Sequence, residues 1–273
     1  MSSNPQEIGA EDSRPPEHRV HIGPADVYDL QSSGQFNLLT YLGLREHHYL
    51  LDIGCGSLRA GRLLMPYLQP GHYFGIEPEE WLVNEGIDKE VGRDLVELKR
   101  PSFSWNGDFE LAVFGQKFDF LLAQSIFSHT SESQIRKCFA EAKEVMKPEA
   151  IFAATFFQGE KNYTGDKWTV KATFTVPKMK ELAGEARLNC ELLDWPHVDL
   201  QTWALITHAD YALKLPEKTG ASRILQLEEE NQNLKRLLAT LRNSRWSRIG
   251  RKLHVFQTGA EFKGRELLRA LRR

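Results

Sequence analysis

Cysteine is scarce in this chain. Its three copies, Cys55, Cys138 and Cys190, lie far apart, with none of the close spacings that hold a metal. No structural disulfide is expected, and a reducing compartment suits the composition. Long apolar runs are also missing, because no stretch approaches the roughly 18 residues that a membrane span needs. The first residues are polar and acidic, unlike a secretory signal. No G-x-S-x-G string points to a hydrolase, and no His/Cys/Asp cluster points to a metal centre, so no metal ligand is expected. Charge of one sign is lacking only in the sum. The formal net charge is −2, yet residues 243–273 hold nine Lys/Arg and two Asp/Glu, which leaves 26 basic and 35 acidic residues in 1–242. An acidic body argues against a domain that grips nucleic acid through its phosphates, so nucleic acid is not an expected partner.

What is present is a set of short apolar runs separated by turn signals and helical patterns, the alternation of an α/β sheet. Tyr49-Leu50-Leu51-Asp52-Ile53 reads as a buried parallel strand. It ends in Gly54-Cys55-Gly56, a turn without bulky side chains where a ligand can approach the backbone. A helical pattern follows with Leu63, Leu64, Tyr67 and Leu68. Strand, glycine turn and helix together make a nucleotide-type site. A dinucleotide fingerprint would place a third glycine at the sixth position from Gly54. Arg59 stands there, so the pattern is not met.

The acidic residue ahead of the glycines fits another ligand. Asp52, Gly54 and Gly56 match the [DE]-x-G-x-G-x-G motif of class I S-adenosylmethionine-dependent methyltransferases, with Leu58 in place of the last glycine. The resemblance extends from about Gly23 to about His208. It includes the strings GCGSLR, GIEP and AQSIFSHT, in which the chain resembles one bacterial group of such proteins. It implies a doubly wound, Rossmann-like, seven-stranded sheet with an antiparallel edge hairpin, and S-adenosyl-L-methionine as cofactor. Glu77 closes the second apolar run about twenty residues past the glycines, where a carboxylate accepts ribose hydroxyls. The resemblance gives Asp108 the adenine amino group and Phe109 a backbone contact with the ring, although Phe109 also suits a core. Gln124, at the end of the strand Phe118–Ser125, would lie beside the sulfonium. Cys55 contributes its backbone. Arg59 could meet the methionine carboxylate or an anionic substrate, and Gln35, on a leading helix within 19–49, would close over the cofactor.

His129 follows the fourth strand, near the expected methyl position. An imidazole there can remove a proton from a hydroxyl at neutral pH. The plainer reading is a residue that hydrogen-bonds its own loop. Ser131 and Gln134 spell a capping box for a helix running to Val145, ended by Met146-Lys147-Pro148 ahead of a fifth strand, Ile151–Phe157. Thr175-Val176-Pro177 starts a helix to about Leu182. Cys190–Trp195 and Thr202–Thr207 read as the last strands. Residues 158–200 are less regular and carry Tyr163, Trp168, Trp195 and His197, aromatics suited to a lid. No [DN]-P-P-[YF] follows the fourth strand, which turns the expectation away from many nitrogen methyltransferases.

Four segments are expected: a disordered 1–18, a methyltransferase domain over 19–215, a coiled coil over 222–242 and a basic amphipathic tail over 243–273. Ile224, Leu227, Asn231, Leu234, Leu238 and Leu241 take alternating a and d positions. Arg223 at g and Glu228 at e, like Glu230 at g and Lys235 at e, are opposite in sign across a parallel homodimer. The alternative is one amphipathic helix packed on its own domain. The tail suits an anionic membrane surface or an acidic partner, and equally a solvated segment or one docked on its own acidic body. The resulting expectation is a cytoplasmic enzyme, peripheral to the inner face of the membrane if the tail binds lipid. It would methylate a hydroxyl of a sugar, glycan or small metabolite. Competing readings are a protein or RNA substrate docked by the tail, and a non-catalytic coiled-coil assembly protein with a vestigial cofactor fold.

Overall fold

A computed structural model describes residues 17–169, 171–215 and 220–243. The chain divides into two units, Met1–Glu217 and Lys218–Arg273. The expectations for residues 1–16 and for the tail after Asn243 lie outside the described residues. No helix among the described residues is long and apolar enough to cross a membrane.

In the first unit, Glu17–His21 (α1) and Tyr28–Tyr41 (α2) precede a strand–helix alternation. It runs Leu50–Ile53 (β1), Gly61–Tyr67 (α3), Tyr73–Ile76 (β2), Glu80–Gly86 (α4), Arg93–Lys99 (α5), Ser102–Ser104 (β3), Phe118–Ala123 (β4), Glu132–Val145 (α6) and Met146–Gln158 (β5). Thr173–Phe174 (β6), Val176–Glu185 (α7), Leu188–Leu193 (β7) and Thr202–His208 (β8) complete it. The strand order is β3-β2-β1-β4-β5-β8-β7. Pairing is parallel from β3 to β5, while β8 runs antiparallel to both β5 and β7. The doubly wound sheet with its edge hairpin is therefore as expected. An unforeseen eighth strand, β6, pairs with Phe157 and Gln158 where β5 runs on past its neighbours. Two residues carry no periodicity from which it could be read.

The apolar runs became strands because both faces of the sheet are covered. All four residues of β1 are buried. Leu51, Ile53, Leu121 and Phe152 face one core with Phe139 of α6 and Leu182 of α7. Leu50, Phe120 and Leu122 face the other with Leu38 and Leu39 of α2 and Leu64 of α3. The chain winds outward from β1 through β2 to β3, then crosses back to β4. The carboxyl ends of β1 and β4 thus part at the reversal, the place where open α/β sheets bind ligands.

Local signals set the boundaries. Gln134 N donates to Ser131 Oγ (3.3 Å) and Ser131 N donates to Gln134 Oε1 (2.9 Å), the anticipated capping box of α6. Thr175 caps α7 by accepting from Lys178 N. The single leading helix within 19–49 is interrupted: Gly23, at φ +134°, and Pro24 separate α1 from α2. The fifth strand begins at Met146, directly after α6, five residues earlier than its apolar run indicates.

The second unit's described part is one helix, Gly220–Asn243 (α8), spanning the segment read as a coiled coil. Leu227, Leu234 and Leu238 on it are exposed.

Gly86, the last residue of α4, holds that helix against the glycine turn. A Cβ there would stand 2.4 Å from the Ser57 carbonyl oxygen, which is backbone and cannot rotate away. On an ordinary helix Gly→Ala stabilises by about 1 kcal/mol. Here the sign reverses: Gly86→Ala is expected to destabilise by about 2 kcal/mol through overpacking, measured by urea unfolding.

Candidate functional site

At the reversal lies a cavity of about 800 Å³. One end of it is the turn after β1. Gly54 N and Cys55 N both donate to Ile76 O (2.8 and 3.0 Å), which fastens the turn across the end of β2. Gly54 has φ +69°, and a Cβ there would meet Ile126 Cδ1 at 2.1 Å. The left-handed φ favours glycine at this position, whereas the Ile126 side chain could turn aside. Leu58, where the motif's last glycine is missing, also holds a left-handed φ of +60°. The backbone path of the motif is kept at a cost of about 1–2 kcal/mol, which full burial of the leucine side chain offsets.

Glu77 is 8% exposed. Its Oε2 accepts from Gly56 N and its Oε1 from Glu79 N, both at 3.0 Å. Burial raises its pKa, opposed by these two N–H donors. A carboxylate offers about four acceptor sites, so hydroxyl donors can still be received. Asp52 is buried in β1, where the Tyr73 hydroxyl donates to it (2.7 Å). Burial pushes it up to about 6. The Cys55 thiol is pushed well above its ordinary range by burial, and only its backbone serves the turn.

Arg59 and Gln35 line the same cavity. Arg59 NH1 donates to Ile22 O (3.1 Å), while burial lowers its pKa. Arg59 Nε and Gln35 Oε1 are buried without a hydrogen-bond partner among the described residues. Such atoms are costly unless a ligand meets them. They fit the charged, polar tail of an amino-acid-bearing cofactor. The roof above them is a strap, Val20–Pro24. It is anchored by Arg19, which donates to Glu90 through Nε (2.5 Å) and NH2 (2.7 Å) and lies 4.3 Å over the Tyr28 ring.

One expected residue is elsewhere. Asp108 is turned to solvent and pairs with Lys137 of α6 at 3.1 Å. The cavity wall in this loop is Asn106, Gly107 and Phe109. The reason is local: Phe109, at φ +61°, turns its buried ring inward and leaves the preceding carboxylate outside.

The other end is built after β4. Gln124 is buried, with its amide 3.0 Å from His197 Nε2. Gln124 Nε2 is the atom that faces His197 Nε2, and Asp199 N donates to His197 Nδ1 (3.2 Å). Ser125, at φ +61°, is held by a closed ring of bonds. Its N donates to Thr155 Oγ1 (2.7 Å), that hydroxyl donates to Gln201 Oε1 (2.7 Å), and Gln201 Nε2 donates to Ser125 Oγ (2.9 Å). His129 reaches the cavity with Nδ1 3.0 Å from Thr169 O, and its ring stacks on Trp168 at 5.6 Å.

Of the expected lid aromatics, Trp168 lines the cavity, whereas Trp195 packs on Tyr41. The Tyr163 hydroxyl donates to Lys167 O. Sequence reasoning missed Asp199, Gln201, Lys171 and the strap, all cavity-lining. They come from irregular connections whose patterns carry no signal. Asp199 accepts from Gln31 Nε2 of α2 at 2.6 Å.

Residues 51–154 match the family model described as a methyltransferase domain. No curated protein sequence matches the chain. Among solved structures it is similar to the CcbJ methyltransferase from Streptomyces caelestis, with 13% identity, a TM-score of 0.51, and coverage of 69% of this chain and 98% of that one. It is also similar to magnesium protoporphyrin IX methyltransferase from Synechocystis PCC 6803 with bound SAH, at 12% identity and TM-score 0.50, over 69% of this chain and 86% of that one. A third is an S-adenosylmethionine-dependent methyltransferase from Clostridium acetobutylicum ATCC 824, at 12% identity and TM-score 0.50, over 66% and 92%. At these identities the likeness is one of fold. Residues 51–154 thus match a methyltransferase-domain model, and the sheet and its helices have the fold of S-adenosylmethionine-dependent methyltransferases.

Burial, with the charge of Arg59 adding to it, pushes His197 down to about 3 from 6.5. Between those values the unfolded chain binds a proton that the folded chain refuses, so stability falls as pH drops below 6.5. Asp52 acts in the opposite direction below pH 6, where the folded chain holds the extra proton. Comparing variants isolates His197. The unfolding free energy lost between pH 7.5 and pH 5 should shrink by about 2 kcal/mol in His197→Gln, measured by urea titration at both pH values.

Proposed function

We propose that this domain transfers the methyl group of S-adenosyl-L-methionine to a hydroxyl of a sugar, glycan or small metabolite, with His129 as general base. The observation that carries this reading is the bond between His129 and Thr169. A carbonyl oxygen only accepts, so the Nδ1 facing it carries the proton. The neutral ring then keeps its lone pair on Nε2, the tautomer a base requires.

The bound donor supplies a sulfonium leaving group. The chain's residues bind, orient and deprotonate. Glu77 would accept ribose hydroxyls, the Gly54–Gly56 turn would admit the nucleoside against backbone, and Phe109 would border the adenine. Arg59 would meet the methionine carboxylate, with Gln35 closing beside it. Gln124 would stand near the reacting centre, its amide direction held by His197. The bound donor would supply the methyl group and take the electron pair of the broken bond; His129 Nε2 would receive the proton of the acceptor hydroxyl. Holding the reactants in line is the larger part of what such a site can contribute.

Wild-type protein should bind S-adenosyl-L-methionine in isothermal titration, and Glu77→Ala should weaken binding at least about tenfold. On whichever acceptor a labelled-methyl screen identifies, His129→Asn should keep cofactor affinity and lower kcat by about 10²–10⁴. A rate near wild type in that variant would remove the base role.

We also infer that residues 222–242 join two chains in a parallel dimer. The exposed Leu227, Leu234 and Leu238 repeat at a and d spacing, and the charges at e and g are complementary. Sedimentation should report a dimer for the wild type and a monomer for Leu234→Asp. A dimeric variant would contradict this pairing.

A further inference from the structure

Lys171 lies in the cavity wall with His129 and Trp168. Its ammonium stands 4.6 Å from the centroid of the Phe157 ring, and among the described residues no carboxylate pairs with it. Its place is fixed by backbone. Thr169 N donates to His129 O (2.8 Å) and Ala172 N donates to Ser128 O (2.7 Å). His129 Nδ1 closes the same ribbon on Thr169 O. The candidate base and the backbone that carries the cation therefore belong to two short segments bonded to each other.

Lys171 is exposed, so its ammonium is open to a ligand in the cavity. The cavity's buried carboxylates are committed at the end formed by the turn after β1, Asp52 to the Tyr73 hydroxyl and Glu77 to Gly56 N. Asp199 is engaged by Gln31. Lys171 is left with one aromatic face, a weak partner for an ammonium at an exposed site. Trp168, 56% exposed, adds a broad apolar face beside it. A ring lying on an indole, whether planar or the C–H face of a sugar, is bound by area with little ordering cost.

Resting on the hydroxyl-methyltransferase reading, we propose that the acceptor is an anion. It is a ring compound packed against Trp168, with a carboxylate or phosphate bound by Lys171 and the hydroxyl directed at His129 Nε2. Charge then selects among hydroxyl compounds of similar size.

The test uses the full chain with labelled donor and three matched pairs: 3,4-dihydroxybenzoate against catechol, glucuronate against glucose, and glucose 6-phosphate against glucose. In at least one pair the anionic member should have a kcat/KM about tenfold or more above its neutral partner. The first two pairs report a carboxylate site and the third a phosphate site. Lys171→Gln should abolish that preference by raising KM for the anion, Lys171→Arg should retain it, and S-adenosylhomocysteine affinity should be unchanged in both. Equal kcat/KM within every pair, no turnover of any anionic member, or a preference that survives Lys171→Gln would overturn the proposal. Calorimetry with S-adenosylhomocysteine on the same wild-type protein separates the two levels. Binding without anion preference sinks only the acceptor class, whereas absence of binding sinks the methyltransferase reading beneath it.

Discussion

The bond from Gly56 N–H to Glu77 sets the geometry on which the rest of the cavity depends. With the two donations to Ile76 O, it fastens the turn after β1 to the end of β2. Three consecutive backbone N–H groups are satisfied there without a helix or a ladder. The turn needs left-handed residues, which Gly54 and Gly56 supply freely and Leu58 supplies under strain. The same bond holds the Glu77 carboxylate at one position beside the opening. Packing enforces it from behind, where Gly86 of α4 rests on the Ser57 backbone and the Tyr28 hydroxyl donates to Ser57 O.

The two ends of the cavity are built differently. One end is made of strand termini and a turn locked to them, so its shape follows from the sheet. The other end is made of connections: the stretch after β4, the segment before β6 and the loop between β7 and β8. Its order comes from side-chain bonds instead, notably the ring joining Ser125, Thr155 and Gln201 and the pairing of His129 with Thr169. A sheet-built end beside a loop-built end is what lets one fold host many ligands.

Much of the sheet and of the turn after β1 was legible in the sequence. The alternation of apolar runs and helical patterns reports a covered parallel sheet, because only strands buried on both faces are apolar without a break. Glycine positions report backbone shape, and the acidic residue closing the second run reports the carboxylate at its end. Ser131 and Gln134 marked a helix start because capping is local chemistry. The misses share a cause. Asp108 was placed by homologous position, but which of two neighbours faces inward is decided by the dihedrals of Phe109. Lys171, Asp199 and Gln201 lie in segments without periodicity, and only tertiary structure brings them to His129 and Gln124. Leu58 departs from the motif, and it takes a left-handed φ of +60° that a glycine would adopt without strain.

A diffraction structure of the full chain grown with S-adenosylhomocysteine tests the central claim most directly. The account predicts the nucleoside over the Gly54–Gly56 turn, with ribose hydroxyls on Glu77, the amino-acid tail at Arg59, and the sulfur facing the side of the cavity that holds His129. A cavity without the ligand at saturating concentration, or a ligand whose sulfur points away from His129, would contradict it.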